Sequence, residues 1–190
     1  GFLGSHAFKF LLENTPWYII ATDSFKCKHS GRRKKIKDLV GREKLYQYDN
    51  DKRFELLEHD LVEPFESYLY KHTLKNIDYI INFASDYPQD DGLKNPESAW
   101  SNNTRLIFTL LEFARRCPEL KRFYSQFHNK GNDILSASLD AQKSLMLSYL
   151  NIFKVPIILF DLNIYEFGIT QKYINEEINK LIEYLRGINS

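Results

Sequence analysis

Apolar residues along this chain fall into two kinds of run, and the two alternate. Short runs rich in β-branched and aromatic residues occupy 17–22 (WYIIAT), 54–57, 77–84 (IDYIINFA), 122–127 and 155–162 (VPIILFDL). The runs at 77–84 and 155–162 are apolar on nearly every residue, which suits strands buried on both faces of a parallel sheet. Between them apolar residues return every three or four positions, the period of a helix with one buried face. Over 5–14 that face is Phe8, Leu11 and Leu12, with Ser5 placed to cap the first turn. A short helix is predicted over 64–72. Over 96–117 the face is Trp100, Thr104, Ile107, Phe108, Leu111 and Ala114, and Pro118 stops it. Over 135–153 it is Leu139, Leu145, Met146, Tyr149 and Phe153. Over 171–186 it is Ile174, Ile178, Leu181, Ile182 and Leu185, followed by Gly187. Strand and helix alternate, which predicts an α/β fold with a doubly wound parallel sheet in one domain spanning 1–190.

The alternation starts out of step. Gly1-Phe2-Leu3-Gly4 runs straight into a helix, whereas a loop of this kind follows a strand in a doubly wound fold. That first strand lies in the middle of the sheet, and its loss leaves buried backbone groups unpaired. The expectation is that residues precede Gly1 or that another segment fills the gap.

Composition narrows the classes. The chain has 190 residues and a net charge of +1, from 26 Lys and Arg against 25 Asp and Glu. That balance argues against a strongly basic nucleic-acid binder and against an acidic tail. An apolar fraction of 43% excludes disorder over most of the length. No apolar run reaches membrane-spanning length, and no charged start with an apolar stretch marks a secretory signal. Cys27 and Cys117 form no disulfide framework, so a reducing, cytoplasmic setting is expected.

Gly1 and Gly4, opening a helix, allow close backbone approach to a phosphate, which the free N–H groups of a helix N-terminus attract. A tight turn explains the same two glycines. Asp23 ends the next strand about twenty residues on, where a carboxylate grips a ribose 2′-hydroxyl and repels a 2′-phosphate, favouring NAD over NADP. Lys26, Lys28, Arg32, Arg33, Lys34, Lys35 and Lys37 follow. Such a run attracts anions or forms a solvated loop. Asp86, Asp90 and Asp91 have the spacing of a polar loop. The five histidines include no pair four apart, and there is no Cys-x-x-Cys, so no metal site is expected. A Gly-x-Ser-x-Gly elbow and a phosphate loop ending in Lys-Ser/Thr are both absent.

Taken in order, GFLGSH at 1–6, Asp23 after WYIIAT, His59-Asp60-Leu61, IDYIINFAS at 77–85, Asn102-Asn103 and LLEFAR at 110–115 resemble the extended short-chain dehydrogenases/reductases. Among these the chain is most similar to NAD-dependent nucleotide-sugar epimerases and dehydratases of the dTDP-glucose 4,6-dehydratase type. The resemblance implies a Rossmann-type fold that binds NAD. It implies that Gly1, Phe2, Leu3 and Gly4 cradle the pyrophosphate and that Asp23, with Ser24 beside it, holds the adenosine ribose. It implies that Asp60 and Leu61 flank the adenine, that Phe83, Ala84 and Ser85 lead to the nicotinamide ribose, and that Asn103 lies in the helix behind the active site.

The catalytic half of the pattern departs. Where the family has Ser or Thr, often with Asp-Glu, this chain has Phe127-His128-Asn129-Lys130. Where the family has Tyr-x-x-x-Lys, this chain has Leu135 and Leu139. Leucine can neither titrate nor donate, so no catalytic dyad is intact, and His128 is the one nearby group that titrates near neutral pH. The resemblance also implies a C-terminal substrate region, of which 163–190 is the truncated start. Two readings follow: a nucleotide-sugar dehydratase or epimerase, or an inactive relative kept as a binding or structural subunit. In the second, a homodimer or protein partner is expected through the helices at 96–117 and 135–153.

Overall fold

The computed structural model describes residues 2–24, 52–65, 76–84, 96–127, 134–161 and 171–186. The chain divides into two compact units, Gly1–Asp60 with Ile164–Ser190, and Leu61–Asn163. The helix predicted over 64–72 lies largely outside the described residues.

The first unit contains α1 (Phe2–Asn14), β1 (Ile19–Asp23), β2 (Phe54–Glu58) and, late in the chain, a helix at Gln171–Arg186 called α4 below. β1 and β2 pair in parallel, from Ile19 opposite Phe54 to Asp23 opposite Glu58. α1 starts earlier than the sequence pattern predicts, so Ser5 lies inside the helix and Phe2, Leu3 and Gly4 form its first turn rather than a loop. One glycine in a helix costs about 1 kcal/mol, which the buried stripe of Ala7, Phe8, Leu11 and Leu12 outweighs. The helix ends at Thr15-Pro16, since a residue before proline avoids the helical region. Its last carbonyls are satisfied by Arg53, the residue before β2. The Arg53 guanidinium donates to the carbonyl oxygen of Thr15 at 2.8 Å and to that of Leu12 at 3.1 Å. Phe8 meets Phe54 edge-on with centroids 5.4 Å apart, and α4 supplies buried Ile178, Leu181 and Ile182.

The second unit contains β3 (Tyr79–Asn82), α2 (Pro96–Arg115), β4 (Arg122–Phe127), α3 (Ile134–Phe153) and β5 (Ile157–Asp161). The strands form a parallel sheet in the order β3-β4-β5. The sheets of both units are parallel throughout, as strands in doubly wound folds are. Leu106, Ile107, Leu110, Leu111 and Ala114 of α2 pack with Phe123, Met146, Tyr149, Val155 and Ile157 into one core. Trp100 and Phe108, placed by the helical pattern on the buried face of α2, are instead 43% and 48% exposed. The buried stripe is rotated toward Asn103, Leu106, Leu110 and Phe113.

α2 and α3 are also tied near their C-terminal ends. The Tyr149 hydroxyl donates to a Glu112 carboxylate oxygen at 2.7 Å, and Arg115 donates to both carboxylate oxygens at 2.7 and 3.0 Å. The Arg115 guanidinium lies 5.3 Å from the Phe153 ring centroid, over its face. The bonds from Arg115 and then Tyr149 hold the Glu112 carboxyl down at about 2. Burial, reinforced by the Glu112 charge, pushes the Tyr149 phenol up to about 12.

Two predictions follow from these ties. Arg53→Ala is expected to destabilise the fold by about 2 kcal/mol, read as a lower urea midpoint, because two helix-end carbonyls lose a charged donor. Arg53→Lys should recover less than half, since a single ammonium does not present a fork. The second prediction concerns pH. A lowered Glu112 value stabilises the fold above the ordinary carboxylate range and is lost as pH falls from 4.5 to about 2. The raised Tyr149 value stabilises below pH 10 and is lost as pH rises from 10 to about 12. Glu112→Gln should therefore flatten both limbs of a stability–pH curve and cost about 1–2 kcal/mol at pH 7.

Candidate nucleotide site

Ligands of doubly wound sheets bind beyond the C-terminal ends of the strands. Parallel pairing brings those ends to one edge within each sheet. In the first unit Asp23 is the last residue of β1, and its carbonyl accepts the His59 N–H at 3.0 Å. That bond carries β2 on into His59 and Asp60, so the expected ribose and adenine positions leave two adjacent parallel strands. Ser24 follows Asp23 and is half-buried, as are Asp60 and Leu61. Gly4 is half-buried in the first turn of α1, which carries no acidic side chain to compensate the positive end of the helix dipole. Gly1 lies outside the described residues.

The second unit places its expected residues differently. Phe83 and Ala84 follow β3 and are half-buried. Asn82, just before them, is 4% exposed and turned into the protein. Its Nδ2 donates to the Ser125 Oγ on β4 at 3.1 Å, and its Oδ1 accepts the Ala84 N–H at 2.9 Å. Asn103 is wholly buried. Its Nδ2 donates to the Ser138 Oγ at 2.9 Å, and its carbonyl accepts from the Gln142 Nε2 at 3.2 Å. These bonds join α2 to the first half of α3 inside the core. Ser85 and His128 lie outside the described residues.

Leu135 and Leu139 fall in the first turns of α3. Leu139 is 5% exposed, and the neighbouring Ser136 and Ser138 are equally shut away. This stretch of helix thus turns an apolar side chain and two hydroxyls inward. Cys117 is buried as well, and burial pushes its thiol up to about 12, which makes it inert as a nucleophile. Among the described residues no group of three His, Cys, Asp or Glu side chains could hold a metal ion. Among them, too, no helix is long and apolar enough to cross a membrane.

The sequence pattern passes over Asn82, Ser125, Ser138 and Gln142. A signal exists for the last two. They stand four apart, on the face that α3 shares with Leu139 and Met146, so two polar residues interrupt an otherwise apolar stripe. Nothing comparable marks Asn82 or Ser125, whose pairing across 43 residues depends on the strand register.

A family model described as the NAD-dependent epimerase/dehydratase family matches residues 1–126. No curated protein matches the chain in sequence. Several solved structures share the fold. The dTDP-glucose 4,6-dehydratase DesIV from Streptomyces venezuelae, solved with NAD, is 18% identical with a TM-score of 0.65, over 85% of this chain and 52% of that one. A UDP-glucuronic acid 4-epimerase from Bacillus cereus in complex with NAD is 19% identical with a TM-score of 0.66, over 84% and 51%. The Bordetella bronchiseptica enzyme WbmF in complex with NAD+ is 15% identical with a TM-score of 0.64, over 84% and 46%. The chain thus spans about half the length of these structures. With two thirds of its residues matched by the family model, the chain belongs to the NAD-dependent epimerase/dehydratase family.

Proposed function

We propose that this chain is a nucleotide-binding member of its family that does not itself carry out nucleotide-sugar chemistry and acts as a binding or structural subunit. The observation that carries the proposal is Leu139, 5% exposed at the position where the resemblance expects the dyad lysine. Dehydration or epimerisation of a sugar requires a group that takes a proton from a hydroxyl as hydride leaves the carbon. Leucines at 135 and 139 offer no such group, and the hydroxyls of Ser136 and Ser138 are buried. The adenosine end of NAD fits this chain, with Asp23 ending β1 and no acidic residue in the first turn of α1. A carboxylate at 23 favours NAD over NADP.

A subunit role needs a surface. Phe108, Tyr149 and Phe153 form a continuous aromatic patch across α2 and α3, with ring centroids 6.4 and 4.9 Å apart. Phe108 and Phe153 are about half exposed, and Ile152 is 69% exposed. Apolar patches of this kind mark interaction sites, so the proposal includes a homodimer through these helices. On cysteine usage the setting is a reducing one, the cytoplasm.

The other reading is a working dehydratase or epimerase with a nucleotide-sugar as substrate and His128 as its base. The fold shared with DesIV and the Bacillus cereus epimerase favours it. Product analysis separates the two. With NAD and either dTDP-glucose or UDP-glucuronic acid, no keto-sugar and no epimer is expected, and catalytic turnover of either would contradict the proposal. Leu139→Lys makes a second test. An ammonium at a position this buried is expected to lower the urea midpoint sharply, by several kcal/mol of stability. An unchanged midpoint would mean that residue 139 faces an open site.

A further inference from the structure

We infer that Asn82 is a positioning residue of the nucleotide site: its buried side chain sets the backbone turn at Phe83–Ala84 that β3 presents to a ligand. The inference rests on the nucleotide-binding reading above and adds to it a residue that acts through Ala84 rather than on the nucleotide. It starts from a step in the sheet. β3 pairs with β4 as far as Asn82 opposite Ser125. β4 stays paired with β5 beyond that point, through Gln126 opposite Phe160 to Phe127 opposite Asp161. The chain therefore leaves the sheet at Asn82 while its neighbours run on. Ligands of doubly wound sheets bind in the crevice outside the carboxyl ends of the strands, and such a departure helps to open one.

The side chain of Asn82 shapes the departure. Its Oδ1 accepts the Ala84 N–H at 2.9 Å, so a side chain takes a backbone donor that a continuing strand would spend on its ladder. Its Nδ2 donates to the Ser125 Oγ at 3.1 Å, which holds the other end of the amide. Asn82 is 4% exposed and Ser125 is wholly buried, so both bonds are shielded from water. Swinging the amide outward would break the two together and strand their partners. Ala84 also packs against the core that α2, β4 and α3 build. It is thus fixed from two sides, its N–H by Asn82 and its side chain by the core, with Phe83 half-buried before it. A turn held this way is ordered before a ligand arrives. Ordering one residue's backbone at the moment of binding would otherwise cost about tenfold in affinity.

Calorimetric titration with NAD, beside urea unfolding of the same variants, tests this. Asn82→Ala is expected to weaken NAD about tenfold. Glu112→Gln, which loosens α2 and α3 near their C-terminal ends, should lower the urea midpoint with no matching loss of affinity. Asn82→Asp keeps an acceptor for the Ala84 N–H, and the Ser125 hydroxyl can turn to donate to it. It should bind NAD more tightly than Asn82→Ala even though a buried carboxylate lowers the urea midpoint. Affinity and stability then part, which a merely structural role would not allow. A loss for Asn82→Ala no greater than that for Glu112→Gln, or Asn82→Asp no tighter than Asn82→Ala, would overturn the inference. If Asn82→Ala does not fold, hydrogen exchange of the intact chain without ligand decides. The Ala84 amide should be protected, and exchange at the rate of an open chain would overturn the inference. Failure of the intact chain to bind NAD would instead overturn the nucleotide-binding reading, and this inference with it.

Discussion

Parallel strand pairing makes every strand of a sheet end at the same edge, and the rest of this molecule is arranged around that constraint. In the first unit, pairing from Ile19 with Phe54 to Asp23 with Glu58 puts Asp23 and the His59-Asp60 segment at one edge. In the second, pairing of Tyr79 with Arg122 through Asn82 with Ser125 makes the Asn82–Ser125 contact unavoidable. The backbone register thus decides which side chains can become a site. What each unit does with its edge is left to the polarity of the residues delivered there.

The helices of the second unit decide the matter there. α2 and α3 could be held together by apolar contact alone, through Ile107, Leu111 and Met146. Asn103, Ser138 and Gln142 add a buried polar tie at one end, and Glu112 with Tyr149 adds a partly buried one at the other. Buried hydrogen bonds fix one helix register against its alternatives, because a slipped register strands several polar groups at once. The same residues cannot also meet a substrate. The helix turn of Ser136, Ser138 and Leu139 is packed into the core.

Much of the fold was legible in the sequence, because apolar runs such as 77–84 and 155–162 carry their own signal of double-sided burial. The strand that Asp23 ends was legible for a similar reason, since WYIIAT at 17–22 is a short run of β-branched and aromatic residues. The start of α1 was not. Gly1 and Gly4 signal a loop locally, and only the packing of Ala7, Phe8 and Leu11 extends the helix back to Phe2. Trp100 and Phe108 misled in the opposite sense, because period alone cannot tell a core face from a face left exposed. The pairs Asn103–Ser138 and Glu112–Tyr149 stand 35 and 37 residues apart, and no local pattern announces them.

The central proposal is that this chain binds the nucleotide and does not itself carry out nucleotide-sugar chemistry. A crystal structure of the chain grown with NAD tests it most directly. Ordered density is expected for the adenosine diphosphate beyond the end of β1, with the ribose hydroxyls on Asp23. No side chain from 134–142 should donate or accept a hydrogen bond to the nicotinamide ribose. A titratable side chain of this chain bonded to that ribose, and poised over a sugar site, would contradict the account.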